Sequence, residues 1–325
     1  MNIRIRRLLA SVPAGALVLG MCAGAIAQQW PTRPVRLVVP FAPGGNIDIA
    51  ARLFGNRLQD ILGQPFVVEN RPGAGGMIAA DAVAAAAPDG YTYFVGANGP
   101  LLFSPVINGR ANFDWRQSFT AVSAISFTPL VLQVHPSVDV RTVRDLIDLA
   151  KKRDLFMASG GQGSTNHLVS ELLQTMAGAK WTTVTYKGNA PALAALMAGE
   201  VQFSFEQVSV ALPLLKDGKS RALAVTSKRR FAQLPEVPSF EELGYRDFEA
   251  VTWVGLFGPA KVPAPIVNRL NEVSRAVAQE PDILKKFTDL GSELRPLTSE
   301  AFTEYVNLEN ERWVPVIRRA GIKGN

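Results

Sequence analysis

The chain has 325 residues, 47% of them hydrophobic, a formal net charge of +6 and a single cysteine, Cys22. That length can bury a large core, most naturally divided between two domains. The charge is weak and dispersed, which excludes a nucleic-acid-binding stripe, and one cysteine excludes a disulfide framework.

In chain order, Arg4, Arg6 and Arg7 precede an apolar run from Leu8 to Cys22, which Ala25-Ile26-Ala27 closes in a small-x-small pattern. This predicts a secretory signal peptide cut after Ala27. The run is too short and too rich in Ala and Gly to span a bilayer, and Met21 before Cys22 fits a lipid-attachment site poorly. Removal of its three arginines takes the charge from +6 to +3 and removes the only thiol. No later segment is long and apolar enough to span a membrane, so the expected product is an exported, soluble protein of the periplasm.

Residues 35–39 read as a buried strand, Pro43-Gly44-Gly45 as a tight turn, and Ala50, Leu53, Phe54, Leu58, Ile61 and Leu62 as one face of a helix beginning at Asn46. A glycine turn feeding a helix N-terminus gathers unpaired N–H groups and partial positive charge, a seat for an anion. Residues 64–70 form a second strand that ends in Arg71-Pro72-Gly73-Ala74-Gly75-Gly76 and an Ala-rich helix to about Ala87. Residues 91–96 form a third strand leading into Ala97-Asn98-Gly99-Pro100. Repeated strand, turn and helix at this spacing predict a parallel α/β sheet with its loops gathered at the strands' carboxyl ends.

Residues 104–120 read as a loop region anchored by Trp115 and Phe119. A second α/β series starts at residues 130–136, followed by a helix ending near Lys151-Lys152-Arg153. The strand at 155–159 opens into Gly160-Gly161-Gln162-Gly163, with a helix from about Asn166 to Gly178. The strand at 181–186 leads through Lys187-Gly188 to a helix ending at Gly199, and further strands lie at 201–205 and 221–226. After an apolar segment at 253–260, three helices start near Pro265, Pro281 and Ser299.

Enzyme signatures are missing. The chain holds no G-x-S-x-G, its two histidines, His135 and His167, are not in H-E-x-x-H, and no glycine loop reads G-x-x-x-x-G-K-[ST] or G-x-G-x-x-G. No cofactor, metal or nucleic acid is expected. Two groups of anion-friendly backbone remain: Gly44-Gly45 with Ala97-Asn98-Gly99, and Gly163-Ser164-Thr165 with Lys187-Gly188. One such turn merely connects a strand to a helix; several converging on one face make a site. Ser164 and Thr165 suit both a helix cap and a ligand contact. Glu206-Gln207 at a strand end suits a solvated loop or a site wall. Asp48 reads as a counterweight to the helix dipole, His167 as a packing residue, Arg71 as a surface partner, and Trp30, Trp181 and Trp253 as core or hinge packing. The rival class is an exported hydrolase using Ser164 and His167; a third is a ligand-sensing subunit of a signalling system.

Several ordered motifs carry a resemblance. Trp30-Pro31-x-x-Pro34, Val38-Val39-Pro40-Phe41-Ala42-Pro43-Gly44-Gly45-x-x-Asp48, Val68-Glu69-Asn70-Arg71-Pro72-Gly73-Ala74-Gly75-Gly76, Pro88-Asp89-Gly90-Tyr91-Thr92, Gly163-Ser164-x-x-His167-Leu168, Tyr186-Lys187-Gly188 and the run from Arg221 to Ser227 together resemble the substrate-binding proteins of the tripartite tricarboxylate transporter family, the Bug receptors. The resemblance implies an α/β, two-domain periplasmic-binding-protein architecture of type II, a Venus flytrap. It implies one domain at 28–128 plus 250–325 and an inserted one at 129–249. A small carboxylated solute would be held between them, chiefly by backbone N–H groups, by a monomer that passes it to integral membrane transporter subunits. It carries ligand contact onto Ala42, Pro43, Gly44 and Gly45, with Asn98 in the facing loop, and across the cleft onto Gly163, Ser164 and Thr165. Phe41, Lys187, Gly188, Glu206 and Gln207 complete the candidate ligand-binding residues, with no catalytic residue. Glu206-Gln207 stands where the family often has an Asp, and Gly160-Gly161-Gln162 departs from its usual Pro-Gly-Asn loop; both positions can retune the solute.

Overall fold

The computed structural model describes residues 30–110, 113–319 and 321–322. The signal segment and its cut after Ala27 lie outside the described residues. The strands are β1 Val35–Val39, β2 Phe66–Asn70, β3 Thr92–Ala97, β4 Phe119–Val134, β5 Phe156–Ser159, β6 Thr182–Thr185, β7 Phe203–Gln207, β8 Arg221–Val225 and β9 Val251–Pro259. The helices are α1 Asn46–Leu62, α2 Met77–Ala84, α3 Ser104–Ile107, α4 Trp115–Ser118, α5 Val143–Ala150, α6 Thr165–Ala177, α7 Asn189–Met197, α8 Val208–Lys216, α9 Ala264–Val277, α10 Pro281–Asp289 and α11 Ser299–Arg319.

Leu37, Val38 and Val39 are buried, as an all-apolar strand covered on both faces requires. β1 pairs in parallel with β2 and β3, and β5 in parallel with β6 and β7. Parallel order therefore holds among β1, β2 and β3 and among β5, β6 and β7, but the sheet as a whole is mixed. Its order is β2-β1-β3-β9-β4-β7-β5-β6, with β8 beside β4, and β9 and β4 run antiparallel to their neighbours.

β4 is the element the sequence reading missed in part. The segment expected to be a loop holds two short helices and then the first residues of this 16-residue strand. From Phe119 to Pro129, β4 pairs with β9; from Leu130 to Val134 it pairs with β7 and β8. One strand thus belongs to both series. The crossing is fastened from outside β4, by Thr226 just past β8. Its hydroxyl accepts from the Leu130 N–H at 2.8 Å and lies 2.6 Å from the Ala250 carbonyl, to which it donates.

Two large cores flank the first series. Phe94, Phe103, Trp253, Phe257 and Phe302 join one, and Leu37, Phe54, Tyr93, Leu256 and Leu270 the other. Trp30, Trp181 and Trp253 are all buried, in keeping with packing roles. Among the described residues, no helix is long and apolar enough to cross a membrane.

Candidate functional site

The carboxyl ends of β1, β5, β6 and β7 bring four helix starts together. Asn46 and Ile47 open α1, Ser164 to Asn166 open α6, Asn189 opens α7, and Gln207 precedes α8; all of them line one cavity. Phe41, Ala97, Gly99, Pro100, Gly160 and Thr252 complete it. Its room of about 20 Å³ is close to that of a single water. No lining residue is ionisable. The helix-preceding residues Gly45, Gly188 and Gln207 provide no side-chain cap, so the first N–H groups of α1, α7 and α8 keep their hydrogen-bonding capacity. Each helix start also brings roughly half a positive charge. A neutral pocket ringed by uncapped helix starts can hold an anion without a cationic side chain.

The loops are fixed from behind. Asp48, 3% exposed, accepts from the Gly44 N–H at 2.9 Å, Arg52 Nε at 3.0 Å and Asn70 Nδ2 at 2.9 Å. Asn70 Nδ2 also donates to the Phe41 carbonyl. Burial pushes the Asp48 carboxyl up, but the hydrogen bonds from Arg52, Gly44 and Asn70 outweigh it and hold the group below its usual value. Asp48 is thus the clamp of the first glycine turn. Asn98 ties the third strand's loop to both sides: its Nδ2 donates to the Val251 carbonyl, and its Oδ1 accepts from Thr165 Oγ1 at 2.9 Å.

The remaining expected residues divide by position. Phe41, Ser164, Thr165 and Gln207 line the cavity. Gly45 is buried at the start of α1, whereas Pro43 and Gly44 are exposed at the rim. Ala42 and Lys187 meet through their backbones, and the Lys187 side chain is exposed. Gly188 takes φ +148° just ahead of α7, and Gly163 takes φ +70° with its N–H donating to His167 Nδ1 at 3.0 Å. Glu206 is fully buried behind Asn189, whose Nδ2 donates to Glu206 Oε2 at 2.5 Å. Burial pushes the Glu206 carboxyl up to about 8, against the opposing hydrogen bonds from Asn189 and Asn166.

The Ser164 hydroxyl accepts from the backbone N–H of His167 at 3.3 Å, a helix cap. An accepting Nδ1 leaves the His167 proton on Nε2, which faces Glu171 at 3.8 Å. Burial pulls the imidazole down to about 4. The ring therefore faces Gly163 and Glu171 instead of the Ser164 hydroxyl. Among the described residues, no cluster of three His, Cys, Asp or Glu side chains is placed to hold a metal.

Sequence reasoning passed over Asn46, Asn166, Asn189 and Thr252. Asn46 and Asn189 carried a usable signal, since each directly follows a glycine at a helix start. Thr252 and Asn166 carried none, because their positions depend on how distant strands assemble.

Comparison with known proteins agrees with this architecture. The family described as "Tripartite tricarboxylate transporter family receptor" matches residues 50–322. BugT of Bordetella pertussis is 34% identical over 320 residues, covering 98% of each chain. A Rhodopseudomonas palustris protein solved with adipate superposes with a TM-score of 0.87 at 37% identity, covering 90% of this chain and 99% of its own. MatC of the same organism, solved with bound malate, superposes at 0.85 with 33% identity, covering 89% and 100%. The fold is the two-domain periplasmic-binding-protein fold, and the chain belongs to the tripartite tricarboxylate transporter receptor family.

Proposed function

We propose that this protein is a periplasmic receptor that captures a small carboxylated solute between two domains and delivers it to integral membrane subunits of a tripartite transporter. The observation that carries this reading is the convergence of four helix starts, three of them without a side-chain cap, on one uncharged cavity. Adipate and malate in two relatives are carboxylates of the size such a cleft would take after opening. The domains are 28–128 plus 250–325 and 129–249; the partner change in β4 at Pro129–Leu130 and the start of β9 at Val251 support these bounds. The protein works as a monomer, without catalysis, after its signal peptide is removed following Ala27. The orientation of the His167 ring, away from the Ser164 hydroxyl, speaks against the hydrolase reading.

Capture follows from the geometry. A carboxylate bound to the uncapped N–H groups of one domain attracts the helix starts of the other. Closure removes water, which strengthens each of those hydrogen bonds. A thermal-shift screen of mono-, di- and tricarboxylates on ligand-free protein tests this reading: at least one should raise the melting temperature, by a shift that grows with the logarithm of ligand concentration over Kd. A screen in which none does so would refute it. Co-purification with transporter subunits tests the delivery step.

A further inference from the structure

The cleft's side-chain amides are locked in orientation by a single backbone carbonyl. The Phe205 carbonyl can only accept, and Asn166 Nδ2 donates to it at 2.5 Å. Asn166 Oδ1 consequently faces Gln207, whose Nε2 donates to it at 3.0 Å and to Thr252 Oγ1 at 2.9 Å. With Nε2 so directed, Gln207 turns Oε1 toward Asn189 and accepts from its Nδ2 at 2.8 Å. That Nδ2 also donates to Glu206 Oε2. Both N–H bonds of Asn189 are now taken, and its Oδ1 is the outward end. It lies 2.9 Å from the position a Cβ on Gly45 would occupy, across the cleft.

An acceptor among donors is unexpected in a pocket for an anion. On the opposite wall, Asn46 is 3% exposed; its Oδ1 accepts from Ser209 and Thr128, and its Nδ2 has no partner among the described residues. The cavity therefore offers helix-start N–H groups and the Asn46 N–H to oxygens of a solute, and one carbonyl oxygen that no carboxylate oxygen can satisfy. An O–H or N–H on the solute can.

We propose that Asn189, oriented through Gln207 and Asn166 by the Phe205 carbonyl, is a specificity-determining residue that selects carboxylates bearing a hydroxyl or ammonium donor over their plain aliphatic counterparts. This inference rests on the carboxylate-receptor reading above. A plain acid would leave the Asn189 carbonyl without a partner in a closed site, a loss worth about tenfold or more in affinity.

The test is calorimetric titration of the ligand-free mature protein with matched pairs: malate and aspartate against succinate, lactate against propionate. In at least one pair the donor-bearing acid should bind about tenfold or more tightly. In Asn189→Ala, or in Asn189→Ser should the alanine variant not fold, that ratio should fall below about threefold. Equal or tighter binding of the plain acid in every pair overturns the inference while leaving the receptor reading intact, and so does a ratio that survives both substitutions. Failure of every carboxylate to bind overturns both.

Discussion

The backbone N–H of Ala42 donates to the Lys187 carbonyl at 2.9 Å, joining the first glycine turn directly to the loop ahead of α7. The same main-chain closeness recurs beside it, where a Cβ on Gly188 would stand 3.1 Å from the Ala42 nitrogen. The two walls of the cleft meet backbone to backbone, so closure depends on what is missing from side chains as much as on what is present.

Gly75 gives the sharpest consequence. It sits at φ +63°, and a Cβ there would run into the Gln162 carbonyl and, at 2.6 Å, the Ser104 hydroxyl. The left-handed backbone cost of about 1–2 kcal/mol falls on the open and closed forms alike, so the overlap with the Gln162 carbonyl is what opposes closure. Gly75→Ala should weaken solute binding by about tenfold or more, a loss of about 1.4 kcal/mol or more. Small-angle scattering should record a larger radius at saturating solute than for the unsubstituted protein. An unchanged Kd and radius would show that this contact does not limit closure.

Asp48→Asn removes the acceptor that holds Gly44, Arg52 and Asn70. At pH 7 the loss should be about 1–3 kcal/mol in urea unfolding. Because the folded carboxyl titrates below its ordinary value of 3.8, its contribution is complete above that pH and disappears as pH falls through the folded value. The gap between variant and unsubstituted protein should therefore close in strong acid and nowhere else.

His167 acts in the opposite range. Its folded value of about 4 lies below the ordinary 6.5, so the unfolded chain takes up a proton first as pH falls. Stability should decline between pH 6.5 and 4, by up to about 3 kcal/mol at 1.36 kcal/mol per unit. His167→Asn, whose Oδ1 can accept from the Gly163 N–H, should flatten that part of the pH–stability curve.

Glu206 runs the other way again. Its raised folded value means that the unfolded state ionises first as pH climbs above 4.5, so the residue costs stability increasingly up to about pH 8. Glu206→Gln should match the unsubstituted protein near pH 4 and exceed it by a few kcal/mol, on the order of 1.36 per unit, at pH 8 and above. Melting temperatures across that range decide it; a difference independent of pH would mean that Glu206 keeps the same charge in both states.

Much of this was visible in the residues themselves. Leu37-Val38-Val39, the turn Pro43-Gly44-Gly45 and the helix starting at Asn46 are local patterns, set by side-chain polarity and by the backbone freedom of glycine, and they appear where the sequence places them. Ser164 likewise caps α6 as its neighbours imply. What the sequence could not supply is partnership across distance. That Phe119 to Pro129 extends a strand shared by both series, that Thr226 fastens Leu130 to Ala250, and that Asn189 stands against Gly45 all depend on sheet topology. The cleft's chemistry depends on it most. An amide can present either of its ends, and only the chain of hydrogen bonds from the Phe205 carbonyl decides which end of Asn189 a solute meets.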